Sequence, residues 1–130
     1  MDIYLSGSYS SQQRLKVEAQ RLQLLNHNIT STWLNEGQKP DHLSEDQWFK
    51  DLALKDLSDL SSADCIIMDC EGTSTTGGRY VEWGFALGRF GMLKLLVGLP
   101  TKGVFTQLAD QAFLNWNDVI TYFEKEHNAG

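Results

Sequence analysis

"ADCIIMDC", Ala63 to Cys70, is the stretch on which the fold turns. It is a near-continuous apolar run of strand length. A strand solvated on one face would alternate apolar and polar residues, whereas a strand covered on both faces of a parallel sheet can be apolar throughout. The run therefore predicts a central, doubly covered strand.

Upstream, residues 45–62 carry Phe49, Leu52, Ala53, Leu57 and Leu60 at helical spacing, which predicts an amphipathic helix. Downstream, "EGTSTTGG" (71–78) is a small, hydroxyl-rich loop, and residues 79–90 form the next helix. "MLKLLVGL" (92–99) is a further strand, followed by the turn "PTKG" (100–103). "VFTQLADQAFL" (104–114) has room for a brief helix and a short fifth strand, and "NWNDVITYFEKEH" (115–127) reads as a closing helix capped by Asn115 or Asn117. At the other end, "DIYLS" (2–6) is a buried strand ended by Gly7. Residues 11–27 repeat Leu15, Ala19, Leu22 and Leu25 as a helix, with Asn28 as its stop. "NITSTWL" (28–34) reads as a second strand and "NEGQKPDHLSED" (35–46) as a polar loop. No internal repeat is visible. Regular alternation of strand and helix implies one α/β domain over residues 1–130, flavodoxin-like or Rossmann-like. Its parallel sheet has four to five strands, with helices on both faces. In such sheets ligands bind beyond the carboxyl ends of the strands, where "SGSYSS" (6–11) and "EGTSTTGG" both lie.

With 130 residues, 42% hydrophobic and 22% charged, the chain has enough material for one proper core. Its net charge of −6 argues against a duplex nucleic-acid partner, because an acidic surface repels a polyanion. No basic-then-apolar leader and no membrane-length apolar stretch is read, so a cytoplasmic location without a membrane partner is expected. Cys65 and Cys70 are read as two reduced core thiols, with no metal and no cofactor expected.

Two acids stand out of place. Glu82 follows Gly77 and Gly78 and opens a run of Val81, Trp83, Phe85, Ala86 and Leu87. The glycines are expected to supply unusual backbone conformations and close ligand approach, and Gly84 and Gly88 to let the helix pack closely on the sheet. A glutamate in the first turn of that helix would be held ionised by the unpaired N–H groups and the dipole. Such an acid can merely complement the dipole. Its apolar neighbours and its place at a strand–loop–helix corner favour a site instead. Asp56 falls in the row Phe49, Leu52, Ala53, Asp56, Leu57, Leu60, on or beside the buried stripe. A carboxyl there either reaches water at the stripe's edge or has a raised pKa suited to a general acid. An ionised carboxylate beside a protonatable one is the working pair for cleaving a glycosidic bond.

The residues "IYLSGS", "STWL", "KDLSDLSSADCIIMDC", "GGRYVEWGFALG" and "VGLPTKGVF" together resemble the nucleoside 2-deoxyribosyltransferase family and the related 5'-monophosphate N-glycosidases. The resemblance runs over most of the chain and is most specific at "ADCIIMDC…GGRYVEWG". It implies that Glu82 is the nucleophile, that Asp56 helps protonate the base, and that Tyr4 lies near the sugar and the nucleophile. Gly7 and Ser8, with Thr76, Gly77 and Gly78, match backbone-donating positions near the sugar's 5' side. Two departures accompany it. Some transferases carry another acid where this chain has Thr76, and the monophosphate hydrolases often carry an arginine where it has Ser10, leaving Arg14 or Arg79 as substitutes. The resemblance also implies a homodimer or higher homo-oligomer whose sites borrow a neighbour's residues.

The leading expectation is thus cleavage of the N-glycosidic bond of a 2'-deoxyribonucleoside or its 5'-monophosphate, with transfer to another nucleobase. The alternatives are hydrolysis of the monophosphate to free base and a catalytically silent nucleotide-binding module. A phosphoribohydrolase of the Lonely-guy type ranks below them, because Thr76 precedes the glycines and Tyr80 and Val81 follow. Transfer is favoured on the expectation that Tyr4, Tyr80 and Trp83 make a dry, base-stacking pocket. Trp33, Trp48, Trp83 and Trp116 could line a base pocket, and core packing is the reading for most of them.

Overall fold

The computed structural model describes residues 1–71, 77–98 and 103–129. Five parallel strands form one sheet: β1 (Asp2–Ser6), β2 (Asn28–Ile29), β3 (Cys65–Asp69), β4 (Leu93–Val97) and β5 (Gln111–Phe113), in the order β2-β1-β3-β4-β5. This is the flavodoxin-like winding, and its strand order reverses between β1 and β3. Every residue of β3 is buried. The strand pairs with β1 from Ile3↔Cys65 to Ser6↔Met68 and with β4 from Cys65↔Leu93 to Asp69↔Val97. The central strand read from "ADCIIMDC" is there.

Helices α1 (Gln12–Leu24) and α4 (Trp116–Ala129) pack together, as do α2 (Glu45–Ser61) and α3 (Gly78–Leu87), and the two pairs cover opposite faces of the sheet. α4 buries Trp116, Val119, Ile120 and Phe123, a single stripe at i, i+3, i+4 and i+7. Each such side chain contributes about 1.5–3 kcal/mol of transfer free energy. Asn115 caps the helix by accepting the Asp118 N–H at 2.9 Å, and Ser44 caps α2 by accepting the Gln47 N–H at 3.1 Å. A 3-10 turn at Phe105–Leu108 precedes β5, which accounts for the brief helix and fifth strand expected there. Among the described residues no helix is long and apolar enough to cross a membrane, and both cysteines are free.

Several local expectations are corrected. α1 stops at Asn26, not Asn28: Asn26 has φ 68°, the left-handed conformation asparagine tolerates at a helix end. The second strand is two residues long, and Thr32–Asn35 form a 3-10 turn. The cause is at Leu5. Its N–H donates to the Ser31 hydroxyl at 3.1 Å and its carbonyl accepts the Trp33 indole N–H at 2.7 Å, so side chains take the places a longer ladder would fill. The stripe of α2 is less covered than its pattern suggests. Leu60 is buried, Leu52 and Leu57 are half-buried, and Phe49 and Ala53 are exposed. Gly84 is exposed with open space where a Cβ would stand, so it does not serve close packing on the sheet. The turn at 100–102 lies outside the described residues.

Candidate active site

On β1 alternate side chains share a face, so Tyr4 and Ser6 point the same way, toward α3. α3 meets them with Arg79, Glu82, Trp83 and Ala86, the inward row of a helix at i, i+3, i+4 and i+7. Trp83 and Ala86 are buried, and Arg79 and Glu82 half-buried. Glu82 is the fifth residue of α3, one turn inside the helix. That corrects the first-turn placement and its consequence: burial, rather than the helix terminus, governs this carboxyl.

The Tyr4 hydroxyl donates to Oε2 of Glu82, and the Ser6 hydroxyl donates to Oε1 at 2.8 Å. Burial pushes the Glu82 pKa above the ordinary carboxylate range, and these two hydrogen bonds oppose the rise. Tyr4 is itself fully buried, and burial together with the Glu82 charge raises its pKa, so it stays a donor.

A cavity of about 360 Å³ opens at the β1/β3 switch point. Gly7, Ser8, Trp33, Glu36, Asp56 and Glu82 are among its lining residues, with Leu52, Leu57 and Val81 as apolar wall. Asp56 is half-buried on α2, and its pKa is raised to about 7, by burial first and then by the charges of Glu82, Glu36 and Asp59. Its protonated form therefore persists toward neutral pH, where an ordinary aspartate is ionised. Among the described residues nothing hydrogen-bonds its Oδ1. The structure thus brings Tyr4, Asp56 and Glu82 to one place from three separate elements.

Gly7 lines the cavity where there is no space for a side chain: a Cβ would stand 2.8 Å from Leu15 Cδ1 and 3.4 Å from Asp69 Cβ. Ser8 is buried, its hydroxyl shared with those of Ser10 and Ser11 at 3.0 and 3.1 Å. Gly78 lines the cavity and Gly77 is exposed beside it. Gly77 has φ −91°, open to any residue, so the expected need for glycine conformations does not hold there. Among the described residues the left-handed glycines are Gly91 and Gly98, and at Gly98 a Cβ would also press on the Cys70–Glu71 backbone at 3.0 Å. Thr76 lies outside the described residues. Of the aromatics expected to make a stacking pocket, Trp83 is buried and donates its indole N–H to the Phe105 carbonyl, while Tyr80 is exposed under the Arg79 guanidinium. Among the described residues the aromatic side chains on the cavity wall are Tyr9 and Trp33, the latter one of the tryptophans expected as possible base-pocket residues.

Sequence reasoning missed three features. Ser6 was open to discovery, since it sits two residues from Tyr4 on one strand. Glu36 lay unmarked in a polar loop. Asp69, fully buried at the end of β3, takes the Arg14 fork at 2.6 and 3.2 Å and the Trp116 indole N–H at 2.9 Å, tying α1, β3 and α4 beneath Gly7. A charge ending an apolar strand was the available signal. Among the described residues no cluster of His, Cys, Asp and Glu has metal-holding geometry.

Neither a protein-family model nor a curated protein matches the sequence. Solved structures do match it. The 2-deoxyribosyltransferase of Bacillus psychrosaccharolyticus superposes with a TM-score of 0.71 at 22% identity, over 94% of this chain and 92% of that one. A conserved protein from Enterococcus faecalis V583 gives 0.70 at 14% identity, over 97% and 98%. The CMP N-glycosidase of Clostridium botulinum gives 0.58 at 17% identity, over 96% and 97%. Over most of its length the chain has the Rossmann-like fold of these proteins.

Proposed function

We propose that this protein is an enzyme that cleaves the N-glycosidic bond of a 2'-deoxyribonucleoside and transfers the deoxyribosyl group to a second nucleobase. The observation that carries the reading is one cavity lined both by Glu82, which two hydroxyls aim, and by Asp56, whose Oδ1 is buried with no hydrogen-bond partner among the described residues. Each Glu82 oxygen accepts one hydrogen bond among the described residues and keeps a lone pair. One of them attacks C1'. The bond from C1' to the base nitrogen breaks, its electron pair stays with the base, and the Asp56 proton neutralises it. A second base then attacks C1', the ester to Glu82 breaks, and Asp56 recovers a proton from the incoming ring. The fold shared with a 2-deoxyribosyltransferase and a CMP N-glycosidase supports an N-glycosidic substrate.

A second reading, hydrolysis of a nucleoside 5'-monophosphate, has one observation in its favour: Arg79, a cation, lines the cavity. Arg14, the other candidate, is not among the residues that line the cavity. The test is to incubate the protein with a deoxynucleoside and a different free base and follow products by chromatography. Exchanged nucleoside is the expected outcome. If free sugar or sugar phosphate forms at the same rate with or without the second base, and no exchange occurs, the protein is a hydrolase.

A further inference from the structure

Glu36 follows the Thr32–Asn35 turn and is held there through its backbone. Its N–H donates to the Trp33 carbonyl at 3.1 Å, and its own carbonyl accepts from the Gln12 amide at 3.0 Å. Its side chain, only 8% exposed, turns back into the cavity wall. One carboxylate oxygen takes the Lys55 ammonium at 2.5 Å. The other, Oε2, is buried and has no hydrogen-bond partner among the described residues. Lys55 and Asp56 are consecutive on α2, so the pair that orients Glu36 sits beside the proton donor of the proposed reaction. Asp56 Oδ1 is buried and without a partner in the same cavity. Buried polar atoms in folded proteins are nearly always satisfied, so two that converge on one cavity point to a ligand that satisfies them.

We propose that Glu36 reads the base, accepting on its unpaired Oε2 a hydrogen bond from an exocyclic amino group, so that the site selects amino bases over their oxo counterparts. Protonated Asp56 donates a hydrogen bond and Glu36 accepts one. Together they demand a ring-nitrogen acceptor next to an amino donor. Adenine offers that pair with N7 or N1 beside N6–H₂, and cytosine offers it with N3 beside N4–H₂. Uracil and hypoxanthine place a carbonyl oxygen where the amino group stood, so that two acceptors face one another, and a site built for a donor rejects such an analogue strongly. The inference rests on the glycosidic reading of the cavity and adds the class of base to it.

The experiment has a catalytic arm and a binding arm. In the first, kcat/KM for base release is measured on deoxycytidine against deoxyuridine and on deoxyadenosine against deoxyinosine, for the native protein, Glu36→Gln and Lys55→Gln. An amino preference of about 10²-fold or more is expected, reduced at least about tenfold by Glu36→Gln, whose amide can donate as well as accept. Lys55→Gln keeps the reading oxygen but loosens its seat, so a preference between those of the native protein and Glu36→Gln is expected, and thermal unfolding confirms that each variant folds. In the second arm, free cytosine and uracil, then adenine and hypoxanthine, are titrated calorimetrically into Glu82→Gln and into the Glu82→Gln, Glu36→Gln double variant. An amino preference in binding that vanishes with Glu36 supports the proposal even if no base is ever released, an outcome that would sink only the enzymatic reading. Base release with equal rates on amino and oxo substrates, or a preference indifferent to Glu36→Gln, overturns the proposal and leaves the enzymatic reading standing. Neither release nor binding overturns both.

Discussion

Two carboxylates, Asp69 and Glu82, stand near the carboxyl ends of the central strands, and the chain treats them in opposite ways. Asp69 is fully buried and is met by a guanidinium fork and an indole N–H. Glu82 is half-buried and is met by the hydroxyls of Tyr4 and Ser6, which orient it but bring no positive charge. A charge-assisted fork neutralises an acid and makes it a joint between elements. Neutral donors leave the negative charge in place, in surroundings that disfavour it. On the proposed reading of Glu82 as the reactive acid, what separates it from Asp69 is the charge of its partners more than its depth.

The sharpest break of this comparison is Glu82→Gln, with an expected loss of base release of about 10³-fold or more, because a covalent nucleophile has no substitute. Its unfolding temperature should be equal or higher, since a poorly compensated buried charge is removed; retention of more than about a tenth of the native rate by Glu82→Ala would end the nucleophile assignment. Next in size is Asp56→Asn, expected to cost about 10²–10³-fold on natural bases and much less on a substrate whose leaving group departs without a proton. With Asp56 as the proposed acid its protonated form is the working one, and burial raises its pKa to about 7, so the rate should fall as pH rises through about 7, a limb the Asn variant lacks. Stability follows the same proton: it is fully present below the ordinary value of 3.8 and is lost as pH rises through about 7. Denaturant melts of Asp56→Asn should lack that part of the pH dependence. The smallest effect on activity belongs to Asp69→Asn, expected to keep the rate within about threefold while lowering stability by about 1–2 kcal/mol. The loss is modest because Arg14 is 39% exposed and water takes over part of its charge. A large rate loss without a stability loss would erase the distinction between the two acids.

The legible parts were those written locally. Burial on both faces left its trace in "ADCIIMDC", and α2 was read to within a residue of its observed ends because its cap and period sit in one window. The inward seat of Asp56 came from the same period. What escaped was written across distance. The hydroxyl of Ser6 meets a carboxylate 76 residues away, and Arg14 meets Asp69 across 55. "NITSTWL" has strand composition, yet Ser31 and Trp33 turn their side chains onto Leu5 and end the ladder early. Glu36 had no periodic neighbour to mark it; its burial comes from α2 folding back over the turn and bringing Lys55 to it. The stacking trio of Tyr4, Tyr80 and Trp83 was drawn from nearness in sequence or resemblance, and the helix instead directs Trp83 inward and Tyr80 to solvent.

Trp33 has one more consequence. Of the four tryptophans, all among the described residues, it is the one that lines the cavity, and the bond from its indole N–H to the Leu5 carbonyl fixes its ring. Trp83 and Trp116 have their indole N–H groups bonded elsewhere, to Phe105 and Asp69. The protein therefore contains its own optical probe: an aromatic ligand stacking in the cavity changes the emission of one held fluorophore, and a Trp48→Phe variant removes the half-buried α2 tryptophan from the background, so that occupancy can be followed without a label.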